Sequence, residues 1–158
     1  MPRIKFSSDC KRYSLLIRSE HLQEIYQYCR VAKDNETGGM IIGLYDKNGS
    51  IAMTKGILGP TPDSRFGNTW FYRGVSGLKQ FFNNLWTRDS LHLLGEWHFH
   101  PGGSPDFSHV DIKQIEKLAM DEKYNCSTPI LLIVGESKNI FSIGVYVLAS
   151  VGKLIILK

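Results

Sequence analysis

Gly95-Glu96-Trp97-His98-Phe99-His100-Pro101-Gly102-Gly103-Ser104-Pro105-Asp106-Phe107-Ser108-His109-Val110-Asp111 joins a strand, a tight turn and a helix start in seventeen residues. It continues a strand that begins at Leu91-His92-Leu93-Leu94, an apolar half that a sheet has to bury. Strand side chains alternate between faces, so His98 and His100 point the same way, about 6.6 Å apart along the backbone. Pro101 stops the strand and Gly102-Gly103 let the chain turn back sharply. Ser108 then opens a helix carrying Ile112, Ile115, Leu118 and Ala119. Two imidazoles on one face, and a carboxylate from Asp111 returned by the loop, can give three donors to one metal ion. Three protein donors with an open fourth position is the pattern of a catalytic zinc centre.

Each piece has a plainer explanation when taken alone. A lone histidine is usually a satisfied core or surface residue, and His-x-His recurs by chance. Ser108-x-x-Asp111 is also a variant capping box, an N-cap serine with an acid at N3. The combination of strand, turn and helix start favours the metal reading.

On either side, strands and helices are mixed. Residues 12–18 read as a strand, and Ser19 offers an N-cap to a helix with Leu22, Ile25, Tyr26 and Cys29 on one face up to about Ala32. Residues 39–58 read as a hairpin turning at Asp46-Lys47-Asn48-Gly49, and 59–68 as a loop. Thr69–Arg73 can be a short strand, before a second amphipathic helix from Val75 to about Thr87. Pro129–Val134 is a continuous apolar run of the kind buried on both faces of a sheet, and 140–148 and 153–157 add strands. The expectation is one α/β (α+β) domain over 1–158, with its core at about 12–150 and a central, mostly antiparallel mixed sheet flanked by about three helices.

With 158 residues, 42% hydrophobic and 22% charged, the chain is long enough for one real core. Its formal charge of +4 comes from scattered Lys and Arg with no long basic run, which argues against a nucleic-acid partner. The N-terminus lacks the apolar core of a signal peptide, and no apolar run is long enough for a membrane span. Cys10, Cys29 and Cys126 are widely spaced, without a Cys-x-x-Cys pair, as reduced thiols in a cytoplasmic protein would be.

His98-x-His100, seven intervening residues and Ser108-x-x-Asp111, with a Glu followed by Gly-Gly well upstream, resembles the JAMM (JAB/MPN-plus) metalloprotease signature at every position. The order of elements over about residues 12–150 is also similar. The resemblance implies a cytidine-deaminase-like JAB/MPN fold, with one Zn²⁺ and its water held by His98, His100 and Asp111. It makes Glu36 the general base and Ser108 the donor to the oxyanion of the intermediate. Spacing alone leaves Glu36 and Glu96 both open as the base; the resemblance selects Glu36 and leaves Glu96 a supporting or structural role.

It further implies an isopeptidase or peptidase whose substrate is a protein with an extended C-terminal tail, ubiquitin-like or similarly conjugated. In such proteins 59–68 and 74–87 border the tail groove, where Trp70, Phe71 and Tyr72 are candidates for its lining, although an aromatic cluster before a helix is more often core. The expectation is a chain without the docking extensions of eukaryotic members. It looks like the compact stand-alone bacterial JAB peptidases, some of which accompany activating-like and conjugating-like enzymes in antiviral operons. The competing readings are a catalytically silent MPN-type scaffold and a metal-dependent amidohydrolase acting on a small molecule. A cupin lacks its further Glu and later His here, and a nucleoside deaminase lacks its Pro-Cys-x-x-Cys.

Overall fold

The computed structural model describes residues 2–158. In chain order the elements are β1 (Arg3–Ser7), β2 (Ser14–Arg18), α1 (Ser19–Ala32), β3 (Thr37–Tyr45), β4 (Ile51–Leu58), β5 (Arg65–Phe66), β6 (Phe71–Tyr72), α2 (Leu78–Asp89), β7 (His92–His100), α3 (His109–Met120), a short 3₁₀ turn (Glu122–Tyr124), β8 (Ile130–Ser137), β9 (Ile140–Ser150) and β10 (Lys153–Leu157). Eight strands form one sheet in the order β1-β2-β4-β3-β7-β8-β9-β10, and β5 and β6 form a separate two-stranded ribbon. Only β2–β4 and β7–β8 run parallel, so the sheet is mixed and mostly antiparallel, as expected.

Strand alternation sorts the core into two layers. Ile41, Trp97, Phe99, Leu132 and Val134 pack on one face with Leu22, Ile25 and Cys29 of α1. Met40, Ile42, Leu93, Leu131 and Ile133 pack on the other with Leu78 and Phe82 of α2 and Ile115 and Leu118 of α3. β3, β7 and β8 are covered on both sides, which is why β3, β8 and the Leu93-Leu94 start of β7 read as apolar runs, while the second half of β7 carries Glu96, His98 and His100 on one face. The outer strands curl until they meet: Ser7 and Lys158 exchange backbone hydrogen bonds, each 2.9 Å, so the free edges of β1 and β10 partly satisfy each other.

Several elements differ from the sequence expectation. β1 has no counterpart in the sequence pattern, because Arg-Ile-Lys-Phe-Ser has strand alternation but is short, charged and mostly exposed. Ser19 is the first helical residue and not the cap; Arg18 is the N-cap, in extended conformation and without a side-chain bond. The loop 59–68 contains β5. The second helix begins at Leu78 because Asp63 accepts the Val75 and Ser76 amides at 2.9 and 3.1 Å and holds them outside it.

Candidate active site

Trp97 and Phe99 face α1, so Glu96, His98 and His100 occupy the opposite face of β7, toward α3. Gly38 pairs with His98 across β3. A Cβ on Gly38 would lie 2.7 Å from the Trp97 carbonyl and 3.1 Å from His98 Cδ2, so this register leaves room only for glycine. Glu36 sits just before Thr37, whose partner is Phe99, and the register therefore brings Glu36 beside His100. Its backbone amide is anchored to the Gly67 carbonyl at 2.8 Å.

After β7 the chain turns at Pro101-Gly102 and lies over the next two strands. The Glu136 amide donates to the Gly103 carbonyl and the Tyr146 hydroxyl donates to the Pro105 carbonyl, both at 2.9 Å. This path ends at α3, where Ser108 and Asp111 form a complete capping box. The Ser108 amide and hydroxyl donate to Asp111 Oδ2 at 2.8 and 2.9 Å, and the Asp111 amide donates back to Ser108 Oγ at 3.2 Å.

The capped carboxylate lies between the two histidines. His98 Nδ1 is 2.8 Å from Asp111 Oδ1, and His100 Nε2 is 3.3 Å from Oδ2. The remaining ring nitrogens are engaged elsewhere: His100 Nδ1 lies 3.2 Å from the Ser104 carbonyl, and His98 Nε2 lies 3.2 Å from Glu96 Oε2. Glu96 is 3% exposed, and Arg73 Nε donates to its Oε1 at 2.9 Å.

These contacts set the charges. Burial pulls His98 down, but the hydrogen bonds and charges of Asp111 and Glu96 outweigh it and hold the imidazole up at about 9. The Asp111 bond also raises His100 above its ordinary value, against partial burial. Burial would raise Asp111, yet the two histidines and the Ser108 amide hold its carboxyl far below the usual range. Burial raises Glu36; the two histidines oppose the shift and the Asp111 charge reinforces it. Burial also works against ionised Glu96, but His98 and Arg73 keep its carboxyl below the ordinary value.

Among the described residues no group of three or more His, Cys, Asp or Glu side chains is arranged to hold a metal ion as it stands. The expected donors instead close on one another. Their chemistry nevertheless fits zinc: each ring has one nitrogen facing a polar neighbour and the other turned to Asp111, and Asp111 has one oxygen in the helix cap and one turned to His98. Donors about 2.0–2.1 Å from a tetrahedral zinc stand about 3.3–3.4 Å apart. The His98–Asp111 Oδ1 contact has to open by about half an ångström to reach that spacing. The 3.3 Å His100 contact is to the cap oxygen Oδ2, so the Oδ1 oxygen has to come toward both rings.

A cleft of about 400 Å³ is lined by Glu36, His98, His100, Ser108 and Asp111, with Trp70 and Phe71 on its wall. Phe71 is buried, while Trp70 and Tyr72 are half exposed or more, so the aromatic cluster divides between core and rim. The Ser108 hydroxyl proton is committed to Asp111 and not free, as a donor to substrate requires; the hydroxyl has to rotate to serve there. Glu96 does share a face with His98, but it meets the ring nitrogen turned away from Asp111.

A family model described as prokaryotic homologs of the JAB domain matches residues 18–146. The chain belongs to the prokaryotic JAB family. A protein of Enterobacter hormaechei subsp. hoffmannii (strain UCI 50), named CD-NTase/cGAS isopeptidase, is similar to it: 38% identity over 132 residues, covering 84% of this chain and 73% of that protein. The solution structure of a Desulfitobacterium hafniense protein shares the fold, with a TM-score of 0.60 and 16% identity over 83% of this chain and 82% of that one.

The JAB domain also contains two functional candidates that the sequence did not reveal. Arg73 reaches Glu96 from the end of the β5–β6 ribbon, and Gln114 of α3 donates to the Phe71 carbonyl at 3.4 Å. No short pattern links either residue to its partner. Only the ribbon's position against the sheet does.

Proposed function

We propose that this JAB domain is a zinc-dependent isopeptidase or peptidase, hydrolysing the amide bond after the C-terminal tail of a ubiquitin-like or similarly conjugated protein. The observation that carries the reading is the shared cleft: Glu36, His98, His100, Ser108 and Asp111 come from three elements and line one opening. His98, His100 and Asp111 would hold the ion. Zinc at such a site supplies Lewis acidity, making water acidic enough to attack near neutral pH and polarising a carbonyl.

The chain's own groups do the rest. Glu36 takes the proton from the attacking water and delivers it to the leaving amine; burial raises its pKa and makes it the better base for the first step. Ser108, once its hydroxyl turns from Asp111, donates to the oxygen where negative charge develops. Trp70 and Phe71 form an apolar wall against which an extended chain can lie. The named activity of the Enterobacter relative supports an isopeptide substrate. Activating-like and conjugating-like enzymes are the partners that would make such a conjugate.

The test is incubation with ubiquitin-like proteins joined through their C-termini either to a lysine side chain or to an α-amine, read by intact mass. Release of the intact tail with one water added supports the reading. Failure on both linkages, with small amides hydrolysed instead, overturns it in favour of a small-molecule amidohydrolase.

A further inference from the structure

Glu96 is out of place for a structural residue. Its neighbours across β3 and β8 are Met40 and Leu131, both buried and apolar, so the strand positions on either side would suit a hydrocarbon. A buried carboxylate is costly unless it is paired and hydrogen-bonded. Here Oε1 takes the Arg73 guanidinium at 2.9 Å and Oε2 faces His98 Nε2 at 3.2 Å. Arg73 is itself held, with its guanidinium 5.8 Å from the Tyr124 ring centroid and a further bond to the Gly74 carbonyl.

We propose that Glu96 and Arg73 are positioning residues for His98: Glu96 accepts a hydrogen bond from Nε2–H, Arg73 fixes Glu96, and His98 Nδ1 is thereby presented to the metal beside Asp111. Turning the ring by a half-rotation would replace Nδ1 with carbon on the Asp111 side and leave Glu96 without a donor. The carboxylate therefore selects one orientation and one tautomer of the ring. Such outer partners of a metal-binding histidine typically contribute about 10- to 100-fold in metal affinity. Arg73 follows Trp70 and Phe71 of the cleft wall, so the same contact ties that wall to His98.

The proposal rests on the zinc reading, and the experiment separates the two. Zinc affinity is measured by competition with a chromogenic chelator for the wild type, E96Q, R73Q, R73K and H98A, with folding checked by circular dichroism. Tight binding by the wild type, loss in H98A, and binding about 10- to 100-fold weaker in E96Q and R73Q, partly recovered in R73K, supports the clamp. Wild-type affinity in both E96Q and R73Q overturns the clamp and leaves the zinc reading standing. No zinc uptake by the wild type overturns the zinc reading itself. Long-range ¹H–¹⁵N correlation of the zinc-loaded wild type needs no variant: His98 protonated at Nε2 supports the clamp, and protonation at Nδ1 overturns it.

Discussion

Gly135→Ala tests whether the loop between β7 and α3 is pinned as the structure indicates. A Cβ at Gly135 would lie 2.6 Å from Pro105 N, 2.7 Å from Gly103 O and 2.7 Å from the Ser104 carbonyl carbon, all backbone atoms that no rotamer change can move. Restoring ordinary contact of about 3.4 Å lifts the loop by about 0.7–0.8 Å. That displacement stretches the Glu136–Gly103 and Tyr146–Pro105 hydrogen bonds, both 2.9 Å, beyond useful length. Two such bonds at about 1 kcal/mol each, with about 1 kcal/mol of residual crowding, give a loss of about 3 kcal/mol. For a chain of this size that lowers Tm by about 6–12 °C.

The same shift moves the Ser104 carbonyl away from His100 Nδ1 and disturbs the approach to Ser108 and Asp111. Cleavage should fall about 100-fold, the usual effect of misplacing reacting groups by about an ångström. The control is Gly103→Ala in the same loop, whose new Cβ would meet only His100 atoms at 3.5 and 3.6 Å and should behave like the wild type. Thermal unfolding, chelator competition and cleavage are measured on both variants. A Gly135→Ala protein with wild-type Tm and zinc affinity would refute the pinning argument.

Three other outcomes follow from the same geometry. Glu36→Ala should retain zinc and lose cleavage by about 100- to 10,000-fold, read by metal analysis and intact mass; equal cleavage would remove Glu36 as the base. His98→Ala and Asp111→Ala should each lose both zinc and cleavage, and Asp111→Ala should also lose the return half of the capping box, its bonds from the Ser108 amide and hydroxyl, about 1 kcal/mol of stability seen in denaturant unfolding. The third concerns His21, which is buried against Thr54 Oγ1 at 2.7 Å and whose pKa is lowered mainly by that burial. The unfolded chain then binds a proton more readily than the folded one below about pH 6.5, so the His21 contribution is present above that pH and lost as pH falls toward the folded value. The Tm difference between wild type and His21→Gln should shift against the wild type from pH 7.5 to 5.5, and a pH-independent difference would contradict this.

Much of the architecture was legible because periodicity and burial agreed. β3 and β8 are apolar on both faces and flank β7 in the middle of the sheet, and the α1 and α3 stripes are the faces that pack. What was not legible depended on partners far away in sequence. β1 is ordered by pairing with β2 and by bonds to Lys158, neither of which a five-residue charged segment announces. The start of α2 was set by Asp63, twelve positions before Val75.

The site divides in the same way. His98, His100 and Asp111 could be brought together from spacing, turn residues and a helix cap within one stretch. Glu36 lies 62 positions before His98 and is brought near only by β3–β7 register, so the resemblance, and not spacing, selected it over Glu96. Ser108 was readable as both cap and donor; the structure shows the cap, with its hydroxyl turned to Asp111.

Cleavage by this protein should depend on bound zinc. The protein is assayed on one isopeptide-linked conjugate as purified, after exhaustive chelation, and after return of zinc, with bound metal counted at each stage. The expected result is one zinc per chain, cleavage abolished by its removal and restored by its return, and no restoration in His98→Ala. Full cleavage by the metal-free protein would contradict it.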